Sequence, residues 1–145
     1  MPLLTRWVIR TAMLYLVIGM VTGLLYWANV QWSFAPILSA LNPTYLHMLV
    51  VGWLTQLIFG VIYWMFPIIS KDNMRGDTRL AWAVFGLLNA GLIVRVICEP
   101  WRAVDPNDVN GLGLVLSALL QSLAAYLFIV VCWPRVRARA GTGRA

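Results

Sequence analysis

Four long apolar stretches, at roughly residues 7–28, 45–67, 80–100 and 111–133, take up most of this 145-residue chain. A helix that crosses a bilayer needs about 20 mostly apolar residues, and each stretch is long enough. Hydrophobic residues make up 61% of the chain and charged residues only 11%. A water-soluble domain of this size cannot bury that much apolar surface. In lipid, backbone polar groups must bond within the protein, which helices achieve. The expected fold class is therefore all-α: an integral membrane four-helix transmembrane bundle, with residues 1–145 forming a single transmembrane domain.

The net charge of +6 raises nucleic acid as a partner, but the placement of the charges argues against it. Arg6 and Arg10 precede span 1, and Lys71, Arg75 and Arg79 separate spans 2 and 3. Arg135, Arg137, Arg139 and Arg144 follow span 4, while Arg102 is the one basic residue in the other two connections. Basic residues collect in cytoplasmic loops, so both termini are expected on the cytoplasmic face of a multi-pass inner-membrane protein. Glu99, Asp105 and Asp108 then fall at the outer face. The tail that begins at Arg135 is expected to touch anionic lipid headgroups. Trp7, Trp64, Trp82 and Trp133 sit at inner ends of spans and Trp27 and Trp101 at outer ends, the pattern of two aromatic belts. Span 1 is longer than a signal-peptide core and no small-x-small site follows Trp27, so it is expected to be retained.

Punctuation sharpens the boundaries. Asn42-Pro43 reads as an N-cap followed by a proline in the first helical position. Pro67, Pro100 and Pro134 each mark the C-terminal end of a span. The uncharged first outer connection carries Phe34, Ile37, Leu38 and Leu41 at helical spacing, which predicts an interfacial helix over 33–41. It serves either as a lid over a cofactor or as a plain connector. Gly19 and Gly23 form a GxxxG, usable for packing within the chain or for dimerisation. Gln56, Asn89 and Gln121 lie near mid-span in spans 2, 3 and 4, suggesting hydrogen bonds between helices or a polar path. Cys98 and Cys132 fall at opposite ends of their spans, separated by a hydrocarbon layer of about 30 Å. A disulfide needs Cα atoms within about 7 Å, so these two cannot pair within one chain.

One imidazole stands out. His47 is the single histidine, it opens span 2, and ionisable groups in membrane segments mark functional sites with named partners. Arg95 and Glu99 lie near the outer end of span 3, at a similar depth, with Arg102 just above. An imidazole near guanidinium groups suits haem b, whose iron takes an axial nitrogen and whose propionates accept from arginine. Trp53 and Phe59 are flat side chains that could line a porphyrin. The plain alternative is an Arg95–Glu99 pair at i,i+4, with His47 bonded to a backbone carbonyl. A third reading places a quinone or lipid beneath the outer connection, with His47 and Tyr45 as hydrogen-bond partners.

The string His47-Met48-Leu49-Val50-Val51-Gly52-Trp53, followed by Gly60, Tyr63-Trp64 and Pro67, resembles the second helix of the haem-copper oxidase catalytic subunit superfamily. The nitric oxide reductase-like branch and its small four-helix relatives look most similar. The resemblance is specific to span 2. It implies that His47 is a metal ligand, axial to haem b; the placement of the charges at that depth then makes Arg95 and Arg102 the expected propionate partners. The role it implies is electron transfer, or a subunit of a respiratory or photosynthetic membrane complex, with quinone or cytochrome c as possible redox partners. With one histidine the chain cannot build the family's binuclear centre, so it is not expected to be an oxidase or reductase by itself. Small relatives carry a second histidine where this chain has Tyr45. Met48 or a His47 from a second copy across a two-fold interface could complete an iron shell, which would make the protein a homo-oligomer. The remaining alternative is a cofactor-free structural or accessory subunit of a larger membrane protein complex.

Overall fold

A computed structural model describes residues 1–66 and 77–136. The end of span 2 at Pro67, most of the loop before span 3 and the arginines of the tail beyond Val136 lie outside the described residues. The described chain is helical throughout: α1 (Leu3–Trp32), α2 (Pro36–Ser39), α3 (Leu41–His47), a π-helical segment (Met48–Thr55), α4 (Gln56–Met65), α5 (Thr78–Val104) and α6 (Asp108–Val136). Segments α3, π and α4 run together as one span, so the chain has four helices long and apolar enough to cross a membrane.

Spans 1, 3 and 4 outrun their predicted bounds at both ends, and span 2 starts four residues early but has its last helical residue at Met65. The 30 residues of α1 reach about 45 Å at 1.5 Å per residue, enough to pass the hydrocarbon layer and enter both headgroup zones. α4 does end just before Pro67, with Phe66 extended, but the other two prolines do not end their helices. Pro100 and Pro134 lie inside α5 and α6, which continue to Val104 and Val136. The apolar run and tertiary packing carry each helix through the one lost backbone bond. Likewise α3 starts at Leu41, before Pro43, and Asn42 provides no side-chain cap. Pro43 then falls in the first turn, whose amides have no helical acceptor in any case. The true cap is at α5, where the Asp77 carboxylate accepts from the Arg79 amide at 2.8 Å.

The interfacial helix expected over 33–41 is a single turn, Pro36–Ser39. Ser33 turns the chain in the left-handed region (φ 51°), and Asn29 secures the return. The Asn29 carboxamide accepts from the Ala35 amide at 2.8 Å and donates to Ser39 at 2.9 Å.

The four spans pack as two hairpins. Helix α1 lies along the whole of span 2, and α5 lies along α6. Span 2 joins the hairpins through α3 against α5. Glycines set the closeness of α1 to span 2: a Cβ on Gly19 would stand 2.9 Å from Leu49 and one on Gly23 3.3 Å from Tyr45. The GxxxG is thus spent inside the chain. At the end away from His47, Leu4, Val8, Tyr63, Ala81, Val131 and Cys132 form an apolar core drawn from all four spans. Phe59 stacks on Phe128 with centroids 3.7 Å apart, beside a cavity of about 30 Å³. Both cysteines are free thiols.

Two mid-span amides meet and the third does not. Asn89 donates to Gln56 at 3.0 Å, and Gln56 donates to the Val8 carbonyl at 3.3 Å, linking α1, span 2 and α5. Gln121 instead donates to Ser117 on its own helix at 2.9 Å. Asn89→Ala is expected to cost about 0.6–2 kcal/mol, the range for polar contacts between membrane helices. Denaturation in mixed micelles measures it, and an unchanged midpoint would show that the link carries no stability.

Arg135 also departs from the lipid-facing tail role. It is buried at the end of α6, donates to the Phe66 carbonyl at 2.6 Å and lies over the rings of Tyr63 and Phe66. A guanidinium there satisfies a carbonyl at the close of span 2 that α4 leaves open.

Candidate functional site

His47, Arg95, Glu99 and Thr44 gather where α3 packs against α5. His47 closes α3 on the face turned to α5. Thr44, three residues earlier, lies on that same face and is buried. Arg95 and Glu99 are one turn apart on α5 and present their side chains to both.

The imidazole is held at both nitrogens. Nδ1 is 2.8 Å from the Pro43 carbonyl and Nε2 is 2.8 Å from Arg95 Nη1. A guanidinium has donors only, so Nε2 must accept and carries no proton. The proton is therefore on Nδ1, donated to the Pro43 carbonyl, and the ring is neutral. Glu99 completes the cluster: Oε2 accepts from Thr44 Oγ1 at 3.1 Å and Oε1 is 3.8 Å from Arg95 Nη1. The carboxylate also lies 3.7 Å from His47 Nδ1. The Arg95 and Glu99 side chains are 18% and 12% exposed, so their charges neutralise each other away from water.

The plain sequence reading had two of these contacts, the Arg95–Glu99 pair and the histidine-to-carbonyl bond. It lacked the Arg95–His47 bond and the part of Thr44. Thr44 carried a legible signal, being three residues from His47 and thus on its helical face.

The other predicted site residues go elsewhere. Arg102 is exposed and lies against Gly111 at the start of α6. Tyr45 covers Gly23 of α1, its ring 5.8 Å from that of Tyr26. His47 faces α5 and Tyr45 faces α1, so the pair does not frame one small ligand. Trp53 sits in the π-helical segment with its indole Nε1 buried and unbonded among the described residues. Phe59, twelve residues beyond His47 along span 2, is committed to the stack with Phe128.

Haem b is the cofactor this residue set has to be tested against. The Nδ1–H bond to a carbonyl selects the tautomer a metal-ligating histidine uses. Yet the lone pair that iron requires is taken by Arg95, so the ring as arranged does not fit an axial ligand. Met48 turns its sulfur to α1, 3.8 Å from Thr22 Oγ1, while His47 faces α5, so the two do not converge on one iron. Among the described residues no group of three or more His, Cys, Asp or Glu side chains could hold a metal ion. What the arrangement does chemically is bridge α3 to α5 with a charge-assisted bond in low dielectric. Compared with protein-family models, curated proteins and solved structures, the chain matches none.

Proposed function

We propose that the chain is a cofactor-free, multi-pass subunit of the cell's inner membrane that packs beside larger membrane proteins. His47 serves as a clasp between spans 2 and 3, with both termini cytoplasmic and the clasp near the outer face. The observation that carries this reading is the saturation of both imidazole nitrogens by Pro43 and Arg95 of the same chain. The four lipid-length spans and the short connections described among them leave the apolar outer faces of α1 and α6 as the surfaces such a subunit offers.

A second reading has one specific observation in its favour. The Nδ1–H bond to Pro43 is the orienting bond of a metal-ligating histidine, which supports His47 as axial ligand to haem b in an electron-transfer subunit. Bound haem would supply a one-electron couple. For that to hold, Arg95 must leave Nε2, and its guanidinium is then free for a propionate.

The absorption spectrum and iron content of the purified full chain separate the two. The clasp reading expects a colourless protein without stoichiometric iron, even after expression with added haem. A Soret band that disappears in His47→Ala, while the helical circular dichroism is kept, would overturn it in favour of haem.

A further inference from the structure

We infer that the cleft between the end of α5 and the start of α6 is a binding site for a phospholipid headgroup that carries a primary ammonium. The cleft measures about 670 Å³ and is lined by Arg102, Asp108, Gly111, Leu112, Leu114 and Val115. Two opposite charges face this space without satisfying each other. Among the described residues neither the Arg102 guanidinium nor the Asp108 carboxylate makes a hydrogen bond or ion pair.

The floor suits a charged guest. Gly111 has no side chain, and a Cβ there would collide with the Arg102 guanidinium. Arg102 therefore rests against α6 at Gly111 and lines the cleft. A guanidinium matches the two non-bridging oxygens of a phosphodiester, with paired, charge-assisted bonds. Asp108 offers only acceptors, which an ammonium with three N–H donors can meet.

Position supplies the rest of the lipid. From the cleft onward, Leu112, Val115 and Leu119 are 68%, 57% and 63% exposed along one face of α6. That stripe runs into the hydrocarbon layer and accommodates an acyl chain. Trp101 stands exposed beside Arg102 at the level where aromatic side chains meet headgroups. A glycerol headgroup has no cation to balance Asp108, and a choline headgroup has no N–H to give it. The charges thus favour phosphatidylethanolamine over phosphatidylglycerol and phosphatidylcholine. This assignment gives Arg102 to lipid and not to a propionate, and it stands independently of what His47 does.

Native mass spectrometry of the detergent-solubilised full chain, titrated with each of the three lipids, tests the proposal. The expected result is retention of phosphatidylethanolamine about tenfold better than either competitor, the scale of one charge-assisted bond. Arg102→Ala should lose retention of all three lipids. Asp108→Asn should keep binding but lose the preference for phosphatidylethanolamine over phosphatidylcholine. Both side chains are exposed, so neither variant threatens the bundle, and circular dichroism verifies that. Equal retention of the three lipids by the wild type, or unchanged preference in Asp108→Asn, would overturn the assignment.

Discussion

Arg95→Ala is expected to cost about 3–5 kcal/mol, the scale for removing one partner of a buried ion pair. The loss is large because of what stays behind. Glu99 would keep its bond from Thr44 but lose the cation that neutralises it, in a site where its side chain is only 12% exposed. His47 would lose the donor on Nε2, leaving the bond from Thr44 to Glu99 as the hydrogen bond that still ties α3 to α5. Unfolding in mixed micelles, followed by circular dichroism, measures the cost.

A second substitution tells electrostatics from packing. Glu99→Gln in the Arg95→Ala background removes the stranded charge while keeping an oxygen for Thr44. It is expected to recover more than half of the lost stability. Glu99→Gln alone should cost less than Arg95→Ala, because the guanidinium keeps its bond to His47 and its long stem reaches toward the interface. A cost for Arg95→Ala within about 0.5 kcal/mol, the range of ordinary surface changes, would show that the cluster does not hold the spans together. The same variant bears on the cofactor question. It bares Nε2, so a histidine poised for iron should take up added haem more readily there, whereas a structural clasp leaves the variant colourless.

The architecture was readable because its cause is local. Twenty apolar residues in a row can do little else in a bilayer, and four such runs yield four spans whatever the tertiary details. Span ends were read less well. Pro100 and Pro134 look like terminators and Pro43 like a first helical residue, yet each sits further inside its helix, since a single missing donor near a terminus is a weak force against continued apolar burial. Depth was legible at the site: His47, Arg95 and Glu99 share a level because spans 2 and 3 run antiparallel. Azimuth was not. Arg95 and Arg102, seven residues and about 10.5 Å apart, lie on almost the same face of α5, so helical periodicity does not say which neighbour each long side chain reaches. The structure gives Arg95 to His47 and Arg102 to the α6 cleft. The π-helical segment had no signal. Its wider turns change the backbone bonding without changing which residue types are present, and Thr55, bonded to the Val50 carbonyl five residues back at 2.8 Å, would fit an ordinary helix as well.

Gly52→Ala is expected to destabilise the bundle by at least about 1–3 kcal/mol, the usual penalty for overpacking a tight interior. The reason is a three-way approach in the middle of the π-helical segment. A Cβ on residue 52 would stand 2.6 Å from Tyr15 Cγ and 2.7 Å from Leu92 Cδ2, so it would press on α1 and α5 together. The Leu92 methyl is a side-chain end, but it is fully enclosed and has nowhere to turn. Tyr15 Cβ lies 2.9 Å away and moves only with its backbone. Relief therefore requires α1 to back away from span 2, which loosens the Gly19 and Gly23 contacts along the same line. Gly86 on α5 is the matched control. No atom lies within 4 Å of a Cβ placed there, so Gly86→Ala should be neutral or gain up to about 1 kcal/mol from helix propensity. Unfolding midpoints of the two variants in one detergent give the comparison. If Gly52→Ala is as stable as Gly86→Ala, the three helices do not meet at residue 52.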